Sequence, residues 1–91
     1  LTQLQRAHAS VNGYLLLKRE EEVLLQLRQN TGYCDHQWAL PSGHIEKEEA
    51  ALAGMKREAK EEIGIDIEQN SLKALHAMHR KTNRMNIDLF F

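Results

Sequence analysis

Apolar residues along the chain fall first into dense short runs, then into a helical stripe, then into alternation. Ala9 to Arg19 (ASVNGYLLLKR) and Val23 to Arg28 (VLLQLR) are dense in apolar positions and read as two strands. Glu20, Glu21 and Glu22 stand between them as a charged turn, which makes the pair a hairpin. A polar loop around Gly32, residues 29–37, leads to a short strand at Trp38 to Leu40. Trp38, beside Leu40, is expected to anchor the core. Pro41 to Glu46 reads as a turn, and the spacing predicts a helix from about Lys47 to Ile63, with Leu52, Met55, Ala59 and Ile63 as its apolar stripe. Leu72 to Arg80 and Arg84 to Phe91 read as two further strands around Lys81-Thr82-Asn83. In the second, Met85, Ile87, Leu89 and Phe91 alternate with Asn86, Asp88 and Phe90, the pattern of a half-buried strand. Leu1 to His8 has no clear period and reads as a short helix or a loose arm.

Strands with one long helix in 91 residues bound the chain to a single domain with a small core. The net charge of −1 provides no global field to recruit nucleic acid or an anionic membrane. No apolar run approaches the ~20 residues of a membrane span, and no secretory signal is visible. The single cysteine, Cys34, excludes an internal disulfide and suits a reducing cytoplasm. The apolar end Ile87-Asp88-Leu89-Phe90-Phe91 reads as the middle of a strand. It carries the expectation that the domain continues beyond Phe91, or that a second copy covers the edge as a homodimer.

The helix changes the picture most. Glu58, Glu61 and Glu62 project within an arc of roughly 100° and are i,i+3 and i,i+4 neighbours. Like charges so placed repel unless they face water or a cation neutralises them. The arc borders the apolar stripe and does not lie opposite it. Ala51 and Gly54 lie on the carboxylate side, and a glycine within a helix is best explained where something approaches the backbone closely. Arg57 is i,i+4 from Glu61 and able to orient a carboxylate through its planar fork. By themselves three glutamates favour the reading of a solvated, charge-rich helix face. The complete pattern, with Gly43, Glu49, Arg57, Glu58, Glu61, Glu62 and Gly64 all at fixed spacing, arises by chance on the order of once in 10⁷ starting positions.

Residues 43–65, GHIEKEEAALAGMKREAKEEIGI, resemble the Nudix box, G-x5-E-x7-R-E-U-x-E-E-x-G-U, where U is aliphatic. Every fixed position matches, with Ala59 in the first aliphatic slot, and Trp38 to His44 looks like the family's strand and turn entering the box. The resemblance implies a mixed α/β (α+β) domain over residues 1–91, a Nudix-type sheet with its loop–helix–loop. The family's α/β/α sandwich would be incomplete in this chain. It implies a hydrolase that cleaves a diphosphate bond in a nucleoside diphosphate-linked substrate with Mg²⁺ or Mn²⁺. Carried over, Glu58, Glu61 and Glu62 are metal ligands, joined by the backbone carbonyl of Gly43, while Glu58, Glu61 and Arg57 serve the chemistry. Glu49 projects away from Glu62, so it is expected to pair with Arg57 or to favour the helix N-terminus, and Gly64 is expected to end the helix in a left-handed conformation.

The partner implied is a nucleotide-type small molecule, not a nucleic acid polymer and not a membrane. Tyr33, His36, Arg80 and Arg84 are candidates for contact with it. By elimination of other extended motifs, a nucleoside triphosphate cleaved to the monophosphate and pyrophosphate is the expected substrate. The alternatives are a Nudix-fold binding or regulatory module without catalysis, and a fragment competent only when assembled with another chain. Cys34, His36 and His44 match no closed four-ligand zinc spacing.

Overall fold

A computed structural model of the chain describes residues 7–29 and 31–91. Strand β1, Ser10–Tyr14, is the pivot of the architecture. The next three strands are only two residues each, β2 at Lys18–Arg19, β3 at Glu22–Val23 and β4 at Gln26–Leu27. They are followed by β5 at Trp38–Ala39, β6 at Ser42–His44, the helix α1 at Ala51–Ile63, and the strands β7 at His76–Lys81 and β8 at Met85–Phe90. The main sheet has the order β6-β1-β8-β7, with β1 parallel to β8 and antiparallel to β6, and β7 antiparallel to β8. Two small ribbons, β2-β3 and β4-β5, complete a mixed α+β fold with one α-helix among the described residues.

The register sorts the sheet into two faces, because side chains alternate along each strand. Gly13 stands opposite both Gly43 and Leu89, and Leu89 opposite Ala77. This is the face that α1 covers: the fully buried Met55 side chain lies against Gly13. The core gathers there from Leu15, Met55, Ala59, Ile67 and Phe91. A β-carbon on Gly13 would overlap the Met55 sulfur. Gly13→Ala is therefore expected to destabilise the fold by about 1–3 kcal/mol, the usual cost of overpacking. Chemical denaturation would read this as a lower midpoint at unchanged slope.

The other face carries Asn12, Tyr14, Asn86, Asp88, Phe90 and Arg80. It corrects the expected half-buried alternation of the last strand. Asn86 and Asp88 are 3% and 1% exposed, whereas Met85, Ile87 and Leu89 are only partly buried. The polar side chains are buried because they satisfy one another. Asn12 Nδ2 donates to Asp88 Oδ1 at 2.9 Å and to Asn86 Oδ1 at 3.4 Å, and Arg80 donates to the Asp88 carboxylate. Tyr14 and Phe90 stack beside them with ring centroids 4.8 Å apart.

Other expectations shift as well. The predicted helix start near Lys47 moves to Ala51, because Glu48 adopts a left-handed φ of 66° and the Glu49 N–H donates to the Glu46 carbonyl in a turn. The apolar runs 9–19 and 23–28 do not form continuous strands but break into β1 to β4. The strand expected from Leu72 begins only at His76: a 3-10 turn at Gln69–Ser71 is followed by residues 72–75 with no regular structure. Trp38 is not a core anchor: it pairs with Leu27 in the two-stranded β4-β5 ribbon and is 66% exposed. The reading of Leu1 to His8 falls, up to residue 6, outside the described residues. No helix among the described residues is long and apolar enough to cross a membrane.

Candidate active site

Arg57 organises the helix carboxylates. Its Nε donates to Glu49 Oε2 at 2.8 Å and its Nη2 to Glu49 Oε1 at 3.0 Å, the fork-to-fork pairing that suits a guanidinium and a carboxylate. Its Nη1 donates to Glu58 Oε1 at 2.9 Å and to Glu61 Oε2 at 3.0 Å, and Nη2 also reaches the His44 carbonyl at 3.1 Å. One guanidinium thus ties the turn before the helix, the helix itself and the end of β6 together. The Arg57 hydrogen bonds, first, and one from the Glu46 N–H hold the Glu49 carboxyl down at about 2. Arg57 is in turn held above the usual guanidinium range, chiefly by Glu49.

Two glycines make room for this arrangement. A β-carbon at Gly54 would lie 2.7 Å from Glu49 Oε1 and 2.8 Å from Ile45 Cδ1, so the helix backbone is approached closely there. A β-carbon at Gly43 would fall on the Glu58 carboxylate. Glu58 therefore packs against bare backbone at the middle of β6, with its side chain 12% exposed. Ladder bonds from Ile45 N–H to the Val11 carbonyl and from Leu15 N–H to the Pro41 carbonyl flank the Gly13–Gly43 pair. By antiparallel alternation that pair is itself hydrogen-bonded, which leaves the Gly43 carbonyl one lone pair for a cation. Gly64 closes the helix at φ 70°, its N–H donating to the Lys60 carbonyl at 3.1 Å.

A cleft of about 430 Å³ runs over the polar face of the sheet and reaches, at the edge strand β6, the helix glutamates Glu58 and Glu62. Gly43, Glu58 and Glu62 line one side. Arg28, Arg80 and Arg84 line it as well, so carboxylates and guanidinium groups share one space. Glu61 is 56% exposed and lies outside the lining, as does His36. Tyr33 is on the rim, 72% exposed, with the Arg28 guanidinium 5.7 Å from its ring centroid. The Tyr33 loop is fixed from within. Arg28 Nε donates to the Tyr33 carbonyl at 2.9 Å, and the Asp35 carboxylate accepts from the N–H groups of Thr31 and Gly32. The Thr31 hydroxyl, above all, holds the Asp35 carboxyl below its ordinary range.

Of the residues expected from the sequence, the structure brings Gly43, Glu58, Glu62, Tyr33, Arg80 and Arg84 to one cleft. It adds Asn12, Tyr14, Arg28 and Asn86, which no motif in the sequence marks as site residues. Their signal was present: Asn12, Asn86 and Asp88 interrupt otherwise apolar strands, and a buried polar side chain in a strand needs a partner.

The donor set fits a hard divalent cation. It offers carboxylate oxygens and a backbone carbonyl, with no sulfur or imidazole required. Among the described residues no three such side chains already converge as a metal cage. Arg57 Nη1 holds one oxygen each of Glu58 and Glu61, leaving the second oxygen of each free of this contact.

The Asp88 carboxyl is held below its ordinary value of 3.8, chiefly by Arg80 and then by Asn12, against the opposing effect of burial. A carboxyl depressed in the folded state contributes stability above its unfolded pKa and loses it as pH falls through the folded value. The protein is therefore expected to lose stability below about pH 4. Asp88→Asn should flatten that acid limb in thermal melts taken across pH 3–6.

The family model described as the NUDIX domain matches residues 6–89. The chain is 32% identical over 81 residues to Nudix hydrolase 8 of Arabidopsis thaliana, covering 89% of this chain and 22% of that protein. It is 35% identical over 60 residues to the 8-oxo-dGDP phosphatase NUDT18 of Danio rerio, covering 66% of this chain and 18% of that one. Among solved structures it resembles a MutT/nudix family protein from Enterococcus faecalis, at a TM-score of 0.74 and 27% identity, over 99% of this chain and 37% of the other. The chain thus spans about a fifth of the length of these two curated relatives.

Proposed function

The chain belongs to the Nudix family, and from that premise we propose that its cleft is the metal-binding and phosphate-binding part of a pyrophosphohydrolase site. The observation that carries this reading is the sharing of one cleft by Glu58 and Glu62 with Arg28, Arg80 and Arg84. A protein that only needed to bind an anion would have no use for carboxylates facing it. Carboxylates beside arginines suit a ligand whose phosphates are bridged by a cation.

In this reading Glu58, Glu61 and Glu62, with the Gly43 carbonyl, hold Mg²⁺ or Mn²⁺. The ion, when bound, neutralises phosphate charge and lowers the pKa of a water. Arg57 fixes the rotamers of Glu58 and Glu61, so that the carboxylates are placed before the substrate arrives. Arg80 and Arg84 receive phosphate oxygens, and Tyr33 offers an exposed ring at the rim for a base or sugar. Glu58 or Glu61 would accept a proton from the attacking water.

The expected substrate is a nucleoside triphosphate, cleaved to the monophosphate and pyrophosphate. Support for it is that three arginines face the cleft, a cationic count suited to a polyphosphate chain. The test is a screen of nucleoside triphosphates, nucleoside diphosphate sugars and dinucleotides with Mg²⁺ and with Mn²⁺, reading phosphate and pyrophosphate release. Pyrophosphate from a triphosphate supports the reading. Binding without release from any of them favours a non-catalytic module.

A further inference from the structure

Arg80 is a cation placed in the cleft by a residue that does not itself line it. Its Nε and Nη2 both donate to the Asp88 carboxylate, which also accepts from Asn12 Nδ2 at 2.9 Å. Asp88 is 1% exposed at the centre of β8, whereas the Arg80 side chain is 42% exposed. In the register Asp88 stands opposite Met78 and Arg80 opposite Asn86, so the guanidinium reaches diagonally to the adjacent strand to find its carboxylate. The contact uses two of the five guanidinium N–H donors, so the group keeps others for a ligand.

We propose that Asp88 is a positioning residue that holds the Arg80 guanidinium in the cleft as a phosphate receptor. The proposal rests on reading the cleft as a diphosphate site. The cost of burying a carboxylate is what makes the arrangement informative. A β-branched or leucine side chain at Asp88 would fill the strand face with no desolvation penalty, and an ion pair with one buried partner is a weak source of stability. What such a pair does supply is orientation. A long arginine side chain loses much rotamer freedom on binding a ligand, and a guanidinium already fixed by a buried carboxylate has lost it in advance. Asn12, on the neighbouring strand, fixes the carboxylate in turn.

Positioning and simple electrostatics predict opposite signs. Removing the Asp88 charge raises the positive potential of the cleft, so charge alone predicts tighter anion binding on Asp88→Asn. Positioning predicts weaker binding, because the asparagine amide nitrogen presents hydrogens to the Arg80 N–H groups and can accept none of their bonds. The experiment is calorimetric titration of inorganic pyrophosphate, in metal-free buffer, into the full chain and its variants. Arg80→Ala is expected to weaken binding about 10-fold. Asp88→Asn is expected to weaken it by roughly 3- to 10-fold and to add nothing in the Arg80→Ala background.

Equal or tighter binding by Asp88→Asn overturns the proposal. So does an additive loss in the double variant, or a wild-type chain that does not bind pyrophosphate. If far-UV circular dichroism shows Asp88→Asn unfolded, Asp88→Glu replaces it. That variant keeps the charge and displaces the carboxylate by one methylene, so weakened binding supports positioning and unchanged binding refutes it. Hydrolysis is measured separately on the wild-type chain. Arg80-dependent and Asp88-dependent binding without hydrolysis would remove the catalytic reading and leave this one standing.

Discussion

Glu58→Gln is expected to lower metal-dependent diphosphate hydrolysis by at least ~10²-fold, since even partners one step removed from a metal cost 10- to 100-fold when lost. Glu58 is the most constrained of the three helix glutamates. It packs on the bare backbone of Gly43, accepts from Arg57 and lines the cleft. Glutamine preserves its size and one acceptor oxygen but removes the charge that a hard cation requires. The helix should remain folded, because the Arg57–Glu49 pairing is untouched. Glu62→Gln is expected to cost a similar factor, since Glu62 also lines the cleft. Glu61 is more exposed and stands outside the lining, so Glu61→Gln should cost less. Initial rates of the three variants across a magnesium titration read this ranking. A Glu58→Gln enzyme with an unaltered rate and metal requirement would sink the assignment.

Arg57→Ala is expected to have the broadest effect of any single change. It removes two bonds to Glu49, one each to Glu58 and Glu61, and one to the His44 carbonyl. The carboxylates it leaves behind repel one another, and the turn at Glu46 to Glu49 loses its tie to the helix. A loss of 10- to 100-fold in activity is expected, of the size seen when the support behind a metal ligand is removed, together with a higher metal concentration for half-maximal rate and a lower melting temperature. Arg57→Lys should not rescue activity. An ammonium is a point charge and cannot pair side-on with Glu49 while also reaching Glu58 and Glu61. Wild-type metal dependence in Arg57→Lys would show that charge alone, not the planar fork, is what the site uses.

The helix and its carboxylates were legible in the sequence because spacing at 3.6 residues per turn is a local property. Arg57 and Glu61, four residues apart, are neighbours on the helix surface whatever the rest of the chain does. The pairing of Glu49 with Arg57 was also legible, as one of two options, since on a straight helix Glu49 projects away from Glu62. The start of the helix was not legible. Glu48 has no sequence mark that forecasts its left-handed φ, and helix-favouring residues run continuously through Glu46 to Glu49.

The polar sheet face was misread for a physical reason. Alternation in β8 gives two faces but not which of them is buried, and the usual assumption that the polar face meets water failed. Asn12, Asn86, Asp88 and Arg80 satisfy one another across three strands. Such a network depends on a parallel β1-β8 pairing between residues 74 and 76 positions apart, which no local pattern encodes. Trp38 was misplaced likewise, because its exposure depends on β4-β5 forming a separate ribbon.

The central claim is that the glutamate face of α1 binds a divalent cation beside an arginine-lined cleft. Manganese binding by electron paramagnetic resonance tests it most directly, because it needs neither a substrate nor turnover. The full chain is titrated with Mn²⁺ as wild type and as the triple variant Glu58→Gln, Glu61→Gln, Glu62→Gln, with circular dichroism confirming the fold of both. The account predicts that wild-type protein depletes the free Mn²⁺ signal and that the folded triple variant does not. Equal depletion by the two proteins would contradict it.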